Sequence, residues 1–193
     1  VGIFVARLRF DRTIMENSML IVLGGLPGTG KTAIARELVV RWPSAYLRID
    51  AIEQALMKAS VFEEIGPAGY VVAYELARSN LALGMTVVAD CVNPLSVTRE
   101  AWRAVAAGTS SGLVEVEIVC SDAAEHRRRV ESRKADIPNF ILPTWDAILR
   151  HEYEAWATSR LVIDSALVSA SGAADVILER LRSQLAGECA FSS

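Results

Sequence analysis

The chain has 193 residues, 52% of them apolar, and a formal charge of -3. This length bounds it to one domain with a sizeable core. The acidic balance argues against a nucleic-acid platform, which needs net basic character.

Arginines interrupt the apolar residues of Val1 to Asn17, so that stretch does not read as a secretory signal. Residues 1–18 are expected to be an extension or non-native leader, with Met15 and Met19 as alternative starts. Residues 19–187 read as the globular domain and 188–193 as a tail. No run approaches the ~20 apolar residues of a membrane span. Three cysteines, Cys91, Cys120 and Cys189, lie far apart and show no metal-binding spacing. Cys91 and Cys120 end apolar runs and read as buried small hydrophobes. The usage fits a cytoplasmic setting.

The first element is a strand over Leu20 to Leu23. It runs into Gly25-Leu26-Pro27-Gly28-Thr29-Gly30-Lys31-Thr32, and a helix follows from Ala33 to about Trp42. Strand, glycine-rich loop and helix in this order form the phosphate-binding P-loop. Glycines let successive N–H groups turn toward one anion. The helix start adds its partial positive charge and unpaired N–H groups. Lys31 supplies a full charge to the terminal phosphates, and Thr32 offers a hydroxyl to Mg²⁺. Gly25 through Ala33 are therefore the expected nucleotide-binding residues.

A short strand, Ala45 to Ile49, ends at Asp50, and a helix is expected over Ile52 to Ser60. Gly66 to Gly69 breaks the pattern. Tyr70 to Leu83 reads as a helix closed by Gly84. The strand Met85 to Ala89 ends at Asp90. A helix opened by Pro94 and Ser96 carries Arg99 and Trp102. Leu113 to Cys120 alternates as a strand with glutamates on one side and valines on the other. A charged helix spans Asp122 to Arg133, and a loop with Pro138 and Pro143 follows. Thr144 caps a helix expected to reach Trp156. The last strand, Arg160 to Ile163, ends at Asp164, and a helix over Ala173 to Leu185 closes the chain.

Alternating strands and helices, with several strands nearly all apolar, imply an α/β fold whose parallel sheet is covered on both faces. Ligands in such sheets lie beyond the carboxyl ends of the strands. Asp50 there can accept the proton of a substrate hydroxyl during phosphoryl transfer. Asp90 can complete a Mg²⁺ shell. Either can be a simple cap, and which of the two acts as base stays open on the residues alone. Arg129 and Arg133, four apart on one helix face, suit a lid over about 122–145 that offsets charge on a transferring phosphate. Arg127 and Arg128 read as a solvated face. Arg99, Asn93 and Tyr74 are candidate acceptor-binding residues.

Gly24 to Thr32, Asp50, the V-V-A-D-C-V-N-P segment, E-H-R-R-R-V-E-S-R and P-T-W-D together resemble the small P-loop kinases. The resemblance is to the adenylylsulfate-kinase-like group, with gluconate kinase and chloramphenicol phosphotransferase as relatives, and spans roughly Leu20 to Leu185. It implies a three-layer sandwich with a five-stranded sheet of order 2-3-1-4-5 and a small helical lid between the fourth and fifth strands. It also implies an adenine site within Asp164 to Gly172, Asp50 as base and Asp90 near the metal. The expectation is an ATP- and Mg²⁺-dependent kinase, monomer or homodimer, acting on a hydroxyl of a small-molecule acceptor. A nucleotide-dependent switch or ATP-binding protein without a small-molecule acceptor is the first alternative. A kinase of a macromolecular or nucleic-acid end is the second.

Overall fold

A computed structural model describes residues 18–59 and 65–191, with side chains to residue 186. Residues 1–17 of the expected extension, the last two tail residues and the Cys189 side chain lie outside what is described. Five strands form one sheet: β1 (Met19–Gly24), β2 (Ser44–Arg48), β3 (Thr86–Asp90), β4 (Gly112–Val119) and β5 (Leu161–Asp164). All pairings are parallel, in the order β2-β3-β1-β4-β5. The central strand β1 is buried along its whole length, as its unbroken apolar run requires.

Two layers of helices cover the sheet. On one face, α1 (Lys31–Arg41) and α7 (Ala170–Phe191) pack Ile34, Leu38, Ile177 and Leu181 against Ile21 and Leu23. On the other, α3 (Ala68–Ala82) and α4 (Ser96–Gly108) pack Ala73, Ala77, Trp102 and Val105 against Leu20 and Val22. Alternate residues of β1 therefore feed the two cores, as the two-residue period of a strand dictates. The remaining helices, α2 (Ile49–Lys58), α5 (Ala123–Ser132) and α6 (Trp145–Leu149), stand near the carboxyl rim of the sheet.

Three expectations need correction. The helix expected from Thr144 to Trp156 stops at Leu149, although Thr144 does cap it, its hydroxyl accepting from Ala147 N–H at 3.2 Å. Beyond it the chain is strapped across the start of α4. Glu154 N–H donates to Pro94 O at 2.9 Å, and the carbonyls of Glu154 and Ala155 accept from the Arg99 guanidinium at 2.7 and 3.1 Å. Carbonyls committed to a tertiary partner are not available to a helix ladder. Second, the strand expected over Leu113 to Cys120 spans Gly112–Val119, and its glutamates, on one side as expected, are paired with arginines. Glu115 takes two hydrogen bonds from Arg103, and Glu117 takes one from Arg160 Nε at 2.7 Å. Third, Cys91 is buried as expected, but Cys120 is only half-buried.

Candidate active site

The P-loop bridges β1 and α1. Gly28 and Gly30 both have positive φ, 84° and 97°. At Gly28 a second constraint applies, because a Cβ there would lie 2.5 Å from Val130 Cγ2. The loop is thus pressed directly against α5. His126 of α5 secures the contact, its Nε2–H donating to Pro27 O at 2.8 Å, and its ring meets Trp145 of α6 edge-on. His126, to which sequence assigned no chemistry, positions the loop.

A cavity of about 450 Å³ opens over the loop, within the size range of small-ligand sites. Six of the nine expected nucleotide-binding residues line it: Pro27, Gly28, Gly30, Lys31, Thr32 and Ala33. Gly25 and Leu26 lie beneath, where their carbonyls accept from Lys31 Nζ at 2.7 and 2.8 Å. Thr29 is turned inward, and its hydroxyl donates to Leu26 O at 2.9 Å. Burial lowers the Lys31 pKa, and the carboxylates of Asp90 and Asp50 work against that fall.

Asp90 ends β3 at the cavity floor. Its Oδ2 accepts from Thr32 Oγ1 and from Tyr46 OH, both at 2.8 Å. The P-loop hydroxyl and the strand-end carboxylate are therefore already neighbours. Both are hard oxygen donors, the chemistry that Mg²⁺ takes when one or two protein groups share it with phosphate oxygens.

Asp50 also lines the cavity, but it does not end a strand. The second strand stops at Arg48, and α2 begins at Ile49, three residues before the expected start. Asp50 is in the first turn of α2, where the helix dipole favours a carboxylate. Burial raises its pKa, Lys31 opposes the rise, and the Asp90 charge adds to it. One turn on, Glu53 is half-buried against Gly69 of α3, where a Cβ would lie 2.3 Å from Glu53 Cγ. Burial, with Asp50 second, pushes the Glu53 carboxyl up to about 7.

Arg129 and Arg133 both reach the cavity, from α5 and from its C-cap. They differ in commitment. Arg129 donates to Glu125 through Nε, and to Ser165 Oγ and O through its two terminal nitrogens. Arg133 makes no hydrogen bond or ion pair among the described residues. Arg127 and Arg128 pair with Glu131 and Glu125 on the exposed side, as expected of a solvated face.

The candidate acceptor residues are placed elsewhere. Arg99 is 2% exposed, and its guanidinium donates to the carbonyls of Asn93, Pro94, Glu154 and Ala155 while stacking on Trp156. It ties the strap to α4, with four of its five N–H donors spent on backbone carbonyls. Asn93, buried with φ of 51°, accepts from Thr98 Oγ1. Tyr74 packs edge-on against Trp102 and donates to Thr98 O. None of the three lines the cavity.

Two residues that sequence did not single out do matter here. Arg48 ends β2, and Asp136 lies in the segment between α5 and α6. Arg48 grips Asp136 with two hydrogen bonds, at 2.8 and 3.0 Å, and Arg36 of α1 holds the same carboxylate from outside. These hydrogen bonds from Arg48 hold the Asp136 carboxyl well below the usual carboxylate range.

No curated protein matches this chain in sequence. Among solved structures, the Mycobacterium tuberculosis APS kinase in complex with AMPPNP and APS is similar at 19% identity and a TM-score of 0.66, over 86% of this chain and 98% of that one. A gluconokinase from Sinorhizobium meliloti is similar at 19% identity and a TM-score of 0.62, over 89% and 97%. A sugar kinase from Janibacter is similar at 16% identity and a TM-score of 0.62, over 86% and 95%. At these identities the likeness is one of fold, and the fold is that of the P-loop kinases. The family model described as AAA domain matches residues 20–151, and with more than half of its length inside that match the chain belongs to the AAA domain family.

Proposed function

We propose that the protein is an ATP-dependent kinase that transfers the γ-phosphoryl group to a hydroxyl of a small-molecule acceptor. The observation that carries this reading is a single cavity faced by Lys31, Asp50, Asp90 and Arg133 from separate elements. Phosphate binding alone would require only the loop. A carboxylate across the cavity from the loop lysine is what transfer to a hydroxyl adds.

Each residue has a distinct task. Lys31 exchanges its loop carbonyls for phosphate oxygens and neutralises charge there. Asp50 takes the acceptor proton, and its raised pKa makes it a better base than an ordinary aspartate. Arg133, with no partner among the described residues, offsets charge on the transferring group. Arg129, fixed on Ser165, sets the wall on the side of the loop after β5. Thr32 and Asp90 would hold Mg²⁺, which supplies charge neutralisation to the phosphates when bound. Segment 133–144 forms the lid. Holding reactants in line and excluding water accounts for most of the rate in such sites.

The test is ADP release from ATP against a panel of hydroxylated metabolites, for the wild type and for Lys31→Ala and Asp50→Asn. Slow basal hydrolysis that rises with one acceptor, and falls by at least a hundredfold in both variants, is expected. Turnover independent of every acceptor, or near wild-type in Lys31→Ala, would overturn the reading.

A further inference from the structure

The Arg48 side chain is 7% exposed, and a guanidinium so buried must keep an anionic partner. Three carboxylates surround it. Asp136 takes both direct hydrogen bonds. Asp50 Oδ2 stands 3.8 Å from one terminal nitrogen, and Asp90 Oδ2 stands 4.0 Å from Nε. Nε is buried and donates to nothing. Asp90 Oδ2 already accepts from Thr32 and Tyr46, so Asp50 is the carboxylate with capacity to spare.

Asp136 belongs to the segment that roofs the cavity with Lys134, Phe140 and Pro143. A roof that lifts to admit a nucleotide and an acceptor takes Asp136 with it. The guanidinium cannot stay buried and alone. A shift of about 1 Å turns the 3.8 Å approach to Asp50 into a charge-assisted hydrogen bond.

We propose that Arg48 is a two-position positioning residue: it pairs with Asp50 while the lid is raised, and lid closure draws it onto Asp136, releasing Asp50 to the acceptor hydroxyl. This rests on the reading of Asp50 as the acceptor-facing carboxylate. Its consequence is timing. While the site is open to water, the carboxylate that would activate a hydroxyl is tied to a cation. It becomes available only when the roof is shut. The Asp136 contact is then more than a clasp, because its formation alters the site 88 residues away in sequence.

The swap predicts a specific energetic coupling, readable without any acceptor. Urea unfolding is measured for wild type, Asp50→Asn, Asp136→Asn and the double variant, on both the native and the Arg48→Gln backgrounds. Alone, Asp50→Asn should change the folding equilibrium by less than threefold, because Asp136 still holds Arg48. With Asp136→Asn present, the same substitution should cost at least a further tenfold, because Arg48 then depends on Asp50. On the Arg48→Gln background the two substitutions should be additive. Should Arg48→Gln fail to fold, Arg48→Met takes its place. Additivity on the native background, or coupling that survives loss of Arg48, would overturn the proposal. A protein that phosphorylates nothing can still show this coupling, and an active kinase can lack it, so the two readings fail separately.

Discussion

Replacing Glu53 with glutamine should make the fold more stable at neutral pH and leave it unchanged in acid. Glu53 is half-buried in α2 against Gly69, and among the described residues no cation or hydrogen-bond donor compensates it. Its carboxyl is raised from the usual 4.5 to about 7, chiefly by burial and secondly by Asp50. The sign follows from proton counting. Between pH 4.5 and 7 the folded chain keeps a proton that the unfolded chain releases, so stability falls as pH rises through that window and levels off above it. At 1.36 kcal/mol per unit the full shift corresponds to about 3 kcal/mol, and partial solvent access brings the expected loss to roughly 1–3 kcal/mol. Glutamine cannot ionise and should not show that loss. The assay is urea unfolding of both proteins from pH 4.5 to 8. The curves should coincide at the acid end and separate by pH 7, with Glu53→Gln the more stable. Parallel curves, or a wild type that gains on the variant as pH rises, would refute the argument that Glu53 is buried uncompensated. Asp50→Asn should narrow the gap slightly, since Asp50 is the smaller of the two causes.

Further outcomes follow from the packing around the cavity. Gly28→Ala should cost about 1–3 kcal/mol from the positive φ and the Val130 contact together, and Val130→Ala should recover only the steric part, measured by urea unfolding and ATP-analogue affinity. Arg99→Lys should destabilise the fold by about 2–4 kcal/mol, since an ammonium cannot serve four carbonyls or stack on Trp156, while nucleotide affinity of the folded protein stays within twofold. Lys31→Met should weaken binding of a non-hydrolysable ATP analogue by at least a hundredfold without lowering stability, because the buried ammonium donates only to loop carbonyls and its desolvation outweighs the attraction of Asp90 and Asp50. Equilibrium titration with thermal melting checks both halves.

What sequence reveals of this site depends on how local the signal is. The P-loop is eight contiguous residues between a buried strand and a helix, and Asp90 ends an apolar run, so both could be placed from order and polarity alone. The sheet order implied by the resemblance is the order observed. Arg99 was misread because its partners are carbonyls of a strap 55 and 56 residues away, and backbone carbonyls leave no mark on sequence. The same strap explains the overlong helix expected from Thr144. Periodicity continues past Leu149, but tertiary hydrogen bonds claim the backbone first. Arg48 and Asp136 were invisible for a related reason. An arginine at an edge-strand end and an aspartate in a loop look like ordinary surface, and only the fold shows that the two charges pair. Asp50 was found for its polarity, yet its helix begins earlier than the pattern suggested, since Ile49 belongs to α2 as its one buried residue.

The charges around the cavity share one property that bears on how a ligand binds. Lys31 is held by two carbonyls, Arg129 by Ser165 and Glu125, and Arg36 by Asp136. Binding at these residues is an exchange of partners, and its free energy is the difference between two satisfied arrangements. A neutral ligand offers no exchange that leaves a buried cation satisfied. A polyphosphate does, because its oxygens are stronger acceptors than the carbonyls that Lys31 gives up. The exchange also favours a ligand that engages several cations at once, since each partner given up is replaced within the same closed volume. Arg133 differs from these three, with no partner among the described residues to surrender. Its contact with phosphate therefore adds without subtraction, and Arg133→Met should lower nucleotide affinity more than Arg129→Met, although both side chains reach the same cavity. Equal losses from the two substitutions would refute the exchange argument, since it rests on their different commitments and not on their charge.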